Sequence, residues 1–149
     1  MSAPVAGTGT TSSTAVKPAE RWLGVGHQAF ALRALLPDAV IRLGPSSLTM
    51  TAAIQPTAAS RRYTVRIRYE YGGVPVVRVL SPELRLHPES KVLPHTYSDD
   101  TLCLHLSGQW RPTMLIAQTT VPWSSEWLYY YEIWLVTGQW HGGGHHVTG

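Results

Sequence analysis

Arg61-Arg62-Tyr63-Thr64-Val65-Arg66-Ile67-Arg68-Tyr69-Glu70-Tyr71, followed by Gly72-Gly73 and then Val74–Leu80, is the stretch from which the fold can be read. Tyr63, Val65, Ile67 and Tyr69 fall on one side of an extended chain. Arg62, Thr64, Arg66, Arg68 and Glu70 fall on the other. A period of two marks a half-buried strand. The Gly-Gly pair is a turn signal, and the β-branched run after it predicts a second strand paired antiparallel with the first. The arginine side reads as a solvated outer face, without the stacking aromatics an RNA-binding sheet needs.

Upstream, His27–Leu36 is made of good helix formers. Phe30, Ala31, Ala34 and Leu35 recur at helical spacing and predict its apolar face. Pro37 ends this helix, because proline disfavours the helical conformation in the residue before it. A further strand is expected within Ala39–Leu43 or Ser47–Ile54. Downstream, residues 81–100 hold Pro82, Pro88 and Pro94 and keep no period, which predicts a long ordered loop. Residues 113–121 are a short helix or a loop. Ser124–Thr137 is the strongest helix, with Ser124 or Ser125 as its cap and Glu126 in its first turn. Its stripe is Trp127, Tyr130, Tyr131, Trp134 and Leu135, and Gly138 closes it. The order of helix, antiparallel strands, loop and helix gives an α+β class, a helix packed on a β-meander. Residues 1–20 read as a disordered tail, 21–140 as one domain, and 141–149 as a Gly/His-rich tail.

Composition sets limits on function. The 149 residues carry a net charge of +3 and only 14% charged residues, too mild a bias to imply nucleic-acid binding. No run approaches the roughly 20 apolar residues of a membrane span, and no signal peptide is evident. With a single cysteine, the chain has no intramolecular disulfide, which favours a reducing, cytoplasmic setting. His141 is separated from His145 and His146 by three glycines, and this stretch reads as a solvated tail. No metal or other cofactor is expected.

That one cysteine, Cys103, lies in Pro94-His95-Thr96-Tyr97-Ser98-Asp99-Asp100-Thr101-Leu102-Cys103-Leu104, with Trp110-Arg111-Pro112 just beyond. On pattern alone it is either a reactive thiol or a small buried apolar side chain. Asp99 and Asp100 lie close in sequence, and nearby carboxylates hold a thiol protonated. This suits sulfur that accepts an acyl group by exchange better than a pre-ionised protease nucleophile. His95 is placed to steady an oxyanion, orient an amine or act as a base. In an extended segment His105 would share a face with Cys103. A Cys-His hydrolase is the weaker alternative.

The segment from Pro94 to Pro112 resembles the active-site segment of ubiquitin-conjugating enzymes, which runs His-Pro-Asn, an Asp-Gly stretch, a catalytic Cys-Leu and Trp-x-Pro. Pro94, Asp99, Cys103, Trp110 and Pro112 match it; Leu93, His95 and Asp100 stand where the motif has histidine, asparagine and glycine. Together with residues 122–132, it is similar to the stand-alone bacterial members of CBASS antiphage operons. The resemblance implies a UBC-like fold with short or absent C-terminal helices. It implies a Cys103 thioester with the C-terminal glycine of a cGAS-like nucleotidyltransferase or a ubiquitin-like protein. An activating enzyme would be a further partner, and deconjugation a further activity. His95 would support the oxyanion or position the acceptor, and Asp99 would hold the loop. Pro94 and Tyr97 would support it, with Trp110 and Pro112 packed beside the thiol. Neither nucleic acid nor membrane is an expected partner. The alternative is a non-catalytic binding module of the same fold.

Overall fold

The computed structural model describes residues 2–5, 7, 9 and 21–143. The elements run α1 (Val25–Leu35), β1 (Val40–Leu43), β2 (Ser47–Ile54), β3 (Tyr63–Glu70), β4 (Val76–Ser81), a 3-10 turn (Ile116–Gln118) and α2 (Thr120–Thr137). The sheet is an antiparallel meander in the order β1-β2-β3-β4. The class is therefore α+β, and among the described residues no helix follows α2. Residues 145 and 146, two of the tail histidines, and most of the N-terminal tail lie outside the described residues.

The alternation read from β3 is the one the fold uses. Tyr63, Val65, Ile67 and Tyr69 are all buried, and β2 presents Leu48, Met50, Ala52 and Ile54 beside them. Register pairs Met50 with Ile67 and Ile67 with Val77, a row of three side chains withdrawn from water. Each such burial stabilises the fold by about 1.5–3 kcal/mol. On the outer face Arg66 stands opposite Arg78. Both candidate regions for the earlier strand are strands, β1 and β2.

Three local expectations need correction. The buried face of α1 is Gln28, Ala29 and Leu32; Phe30 is 74% and Leu35 49% exposed. Gln28 overrides the apolar count because its amide is fully used: Nε2 donates to the Met114 carbonyl (2.8 Å), and Oε1 accepts from the Ile116 amide (2.9 Å). A buried amide with both ends paired is tolerated where an unpaired one is not. Second, α2 begins at Thr120, four residues early. Pro122 is its third residue, where the missing N–H is one the first turn leaves unpaired in any case. Third, Ser124 is consequently not a cap. It is fully buried inside the helix, its hydroxyl donating to the Thr120 carbonyl (2.6 Å), and Glu126 lies beyond the first turn.

Gly138 does close α2. Its φ is +75°, and its amide donates to the Trp134 carbonyl (2.7 Å). The buried face of α2 carries Trp127, Leu128, Tyr131 and Trp134 and joins the sheet in one core. Tyr131 meets Tyr63 edge to face at 6.4 Å. Glu132 fastens the helix to the β2–β3 turn, accepting from the Ser60 hydroxyl (2.6 Å) and the Tyr63 hydroxyl (2.9 Å). Burial and the Glu132 carboxylate both push the Tyr63 phenol well above its ordinary range.

Candidate active site

Ser81, where the predicted loop begins, still belongs to β4; from Pro82 to Asp100 the chain forms no helix or named strand. It is held at Arg85, whose amide donates to the Tyr131 hydroxyl (2.7 Å). Its last part folds back on itself as a small hairpin. The Tyr97 amide donates to the Thr101 carbonyl and the Cys103 amide to the His95 carbonyl, both at 2.9 Å, with Thr96 and Leu102 bridged between them. The Leu102 amide then donates to the Val77 carbonyl (2.9 Å), which docks the hairpin along β4. Leu102 is buried and anchors it in the core.

The tip is shaped by Asp99. One carboxylate oxygen accepts both the Thr101 hydroxyl (2.6 Å) and the Thr101 amide (3.2 Å), the local turn that aspartate favours. Those two bonds hold the Asp99 carboxyl below the usual carboxylate range. The charge is thus engaged with Thr101. Two residues have left-handed backbone, His95 (φ +48°) and Asp100 (φ +64°). They stand where the ubiquitin-conjugating motif has asparagine and glycine. Glycine has no steric penalty there, and Asn, Asp and His are the side chains most often found in that region. His95 and Asp100 are thus residue types that this left-handed backbone accepts.

Helix α2 reaches into this hairpin. Trp127 Nε1 donates to the His95 carbonyl (3.0 Å), so that oxygen accepts from both Trp127 and Cys103. His95 is buried, 7% exposed. Cys103 is half-buried and opens on a cleft of about 990 Å³ whose walls include His95, His105, Trp123, Trp127, Tyr130 and Trp140. The sulfur sits 3.8 Å from the His105 carbonyl, within the wider reach of a thiol donor. His105 itself bonds the Leu106 carbonyl through Nδ1 (2.8 Å) and lies 5.6 Å from Trp123. The Tyr97 phenol is raised above its ordinary value, first by its hydrogen bond with Cys103, then by burial and the sulfur's charge.

Trp110 and Pro112 do not line the cleft. Trp110 is buried, 5.3 Å from the Tyr69 ring, with Nε1 donating to the Thr119 hydroxyl (3.0 Å). Pro112 offers its carbonyl to the Leu23 amide (2.9 Å). Pro94 does not line the cleft either and is half-buried next to His95 in the chain. Sequence reasoning did not place Trp123 or Trp140 at the site; the signal for Trp140 was its position two residues past a helix-closing glycine. Among the described residues no cluster of histidine, cysteine and carboxylates could hold a metal ion. Among them, too, no helix is long and apolar enough to cross a membrane.

A model of the family described as Type II CBASS E2 protein matches residues 28–147, most of the chain. No curated protein matches it.

Proposed function

The chain belongs to the type II CBASS E2 family, and from that premise we propose that Cys103 is an acyl carrier in a UBC-like fold. In the step proposed, the Cys103 sulfur attacks the activated carbonyl carbon at the C-terminal glycine of a partner protein. The activating group leaves, and a thioester forms. A lysine amine then attacks the same carbon, the C–S bond breaks, the amine's proton goes to the departing sulfur, and an amide replaces the thioester. Deconjugation would instead begin with Cys103 attacking an existing amide carbonyl, the lysine amine leaving with the thiol's proton, and water then hydrolysing the thioester. The family context makes a cGAS-like nucleotidyltransferase the first candidate donor and a ubiquitin-like protein the second, with an activating enzyme upstream.

The observation that carries this reading is the hairpin that pairs the Cys103 amide with the His95 carbonyl and sets both residues on the wall of one cleft. Tyr97, on the same hairpin, has its phenol raised through its interaction with Cys103 and by burial, and would act as a donor to the sulfur where charge appears as the C–S bond breaks. A donor preset where charge develops favours the transition state. His95 borders the same space and would steady the oxyanion or place the incoming amine. Asp99 and Pro94 hold the hairpin in shape.

The test is to incubate the protein with a cGAS-like nucleotidyltransferase and an activating enzyme from a CBASS operon. A reducing-agent-sensitive adduct lost in Cys103→Ala is the expected result. An adduct that persists in Cys103→Ala would defeat the thioester. Partner binding and phage protection unchanged by Cys103→Ser would instead make the protein a binding module.

A further inference from the structure

The segment after α2 folds back into the Cys103 cleft. Gly138 turns the chain, and Trp140 lands on His95, the ring centroids 4.8 Å apart and the planes 29° from parallel. Trp140 also meets Trp127 at 5.5 Å and Tyr130 at 6.0 Å. Its indole Nε1 is buried and, among the described residues, has no hydrogen-bond partner. Gly142 lies against that nitrogen. A Cβ at Gly142 would stand 2.7 Å from Nε1 and 2.8 Å from the Tyr130 ring, closer than real Cβ contacts.

A buried indole N–H normally finds an acceptor, and leaving it unpaired costs the desolvation of the group. Here Trp140 is on the wall of the cleft that Cys103 faces, and its unpaired donor lies under Gly142. An acceptor arriving in the cleft would remove that cost. An extended peptide tail supplies such an acceptor at every residue, its backbone carbonyl. The strap residue covering the donor is a glycine, whose bare backbone a glycine-ended tail can replace with little change of volume.

We propose that Trp140 is a positioning residue of the Cys103 site: its ring holds His95 in place, and its indole N–H donates to a backbone carbonyl of a glycine-ended tail that enters in place of Gly142. The donor half of this statement rests on the acyl-carrier reading. The His95 half rests on the stack alone.

The probe is a peptide ending in Gly-Gly, supplied as a thioester of a small thiol, so that no activating enzyme is needed. Cys103 sulfur bonds to the glycyl carbonyl carbon, and the small thiol leaves with the proton that Cys103 gives up. Acylation of the full chain is followed by mass spectrometry against peptide concentration. Trp140→Phe keeps a ring over His95 and removes the donor. It is expected to raise the half-saturating concentration about fivefold at an unchanged maximal rate. Trp140→Ala removes both and is expected also to lower the maximal rate about tenfold. In parallel, diethyl pyrocarbonate is expected to modify His95 readily in Trp140→Ala and slowly in the wild type and Trp140→Phe. Unchanged half-saturation in Trp140→Phe overturns the donor role. Equal protection of His95 in Trp140→Ala overturns the stacking role. Should the wild type take no acyl group while iodoacetamide still modifies Cys103, the acyl-carrier reading fails and the donor role with it; the His95 half is then decided by the modification alone.

Discussion

Strands β2 and β3 and the hairpin from His95 to Cys103 share one core but are held by different means. Between the strands, the same contact repeats. Leu48 faces Tyr69, Met50 faces Ile67, Ala52 faces Val65 and Ile54 faces Tyr63, each pair buried. In the hairpin nothing repeats. It depends on single contacts: one amide on Val77, one indole on the His95 carbonyl, one carboxylate on Thr101 and two left-handed residues. A repeating interface spreads stability over many apolar contacts. A set of single contacts contributes little stability but fixes where one sulfur and one imidazole stand. The first sort of region tolerates conservative change and resists loss of volume. The second tolerates loss of volume at its edges and resists the loss of single donors.

The sharpest way to break this comparison is a cavity in the sheet. Ile67→Ala removes a fully buried side chain from the Met50–Ile67–Val77 row and is expected to cost about 3–4 kcal/mol in denaturant unfolding. Cys103 acylation per folded molecule should stay near wild type. Loss of acylation in step with stability would show that the two regions are not separable.

Next in size is Trp127→Phe, which keeps an aromatic ring, leaves part of the indole's volume empty and deletes the donor to the His95 carbonyl. About 1–2 kcal/mol of stability is expected to go, with a loss of acylation larger than Ile67→Ala causes. A variant as active as the wild type would show that the Cys103 amide alone positions that carbonyl.

Asp100 gives a smaller effect. At φ +64°, Asp100→Ala should cost about 1 kcal/mol, while Asp100→Gly should stay within about 0.5 kcal/mol of the wild type. Equal stability of the two variants would remove backbone conformation as the reason for the residue there.

Smallest is the acid response of the hairpin tip. Asp99 is held below its ordinary value by Thr101, so its folded-state pKa lies under the unfolded one, about 3.9. Its contribution is therefore complete above that value and is lost as pH falls through the folded one. The Thr101 amide resonance should shift over that acid range and cease to do so in Asp99→Asn. A shift that survives in Asp99→Asn would assign the titration to another group.

Legibility in the sequence follows the same division. Strand β3 was readable because alternation is a property of neighbours along the chain, and Gly138 because only a few residues adopt its φ. The motif around Cys103 was readable through its resemblance, including the positions of His95 and Asp100. The α1 face was misread because Gln28 earns its burial from Met114 and Ile116, more than 80 residues away. The start of α2 was missed because Ser124 and Ser125 look like caps, whereas the helix opens at Thr120 with Pro122 in its first turn. Trp140 was read as part of no element, and its stack on His95 depends on where a left-handed turn sends the chain. Contacts made across the fold by single side chains leave no period to detect.

The docking of Leu102 on Val77 also has a bearing on solubility. A sheet's outermost strand presents unpaired amides and carbonyls that invite pairing with another chain. In this molecule the hairpin bearing Cys103 covers that rim of β4 at Val77. The opposite rim is the four-residue β1, with Arg42 within it. The Cys103 loop therefore also shields a sheet edge, and damage that loosens it would expose an unpaired strand as well as displace the thiol.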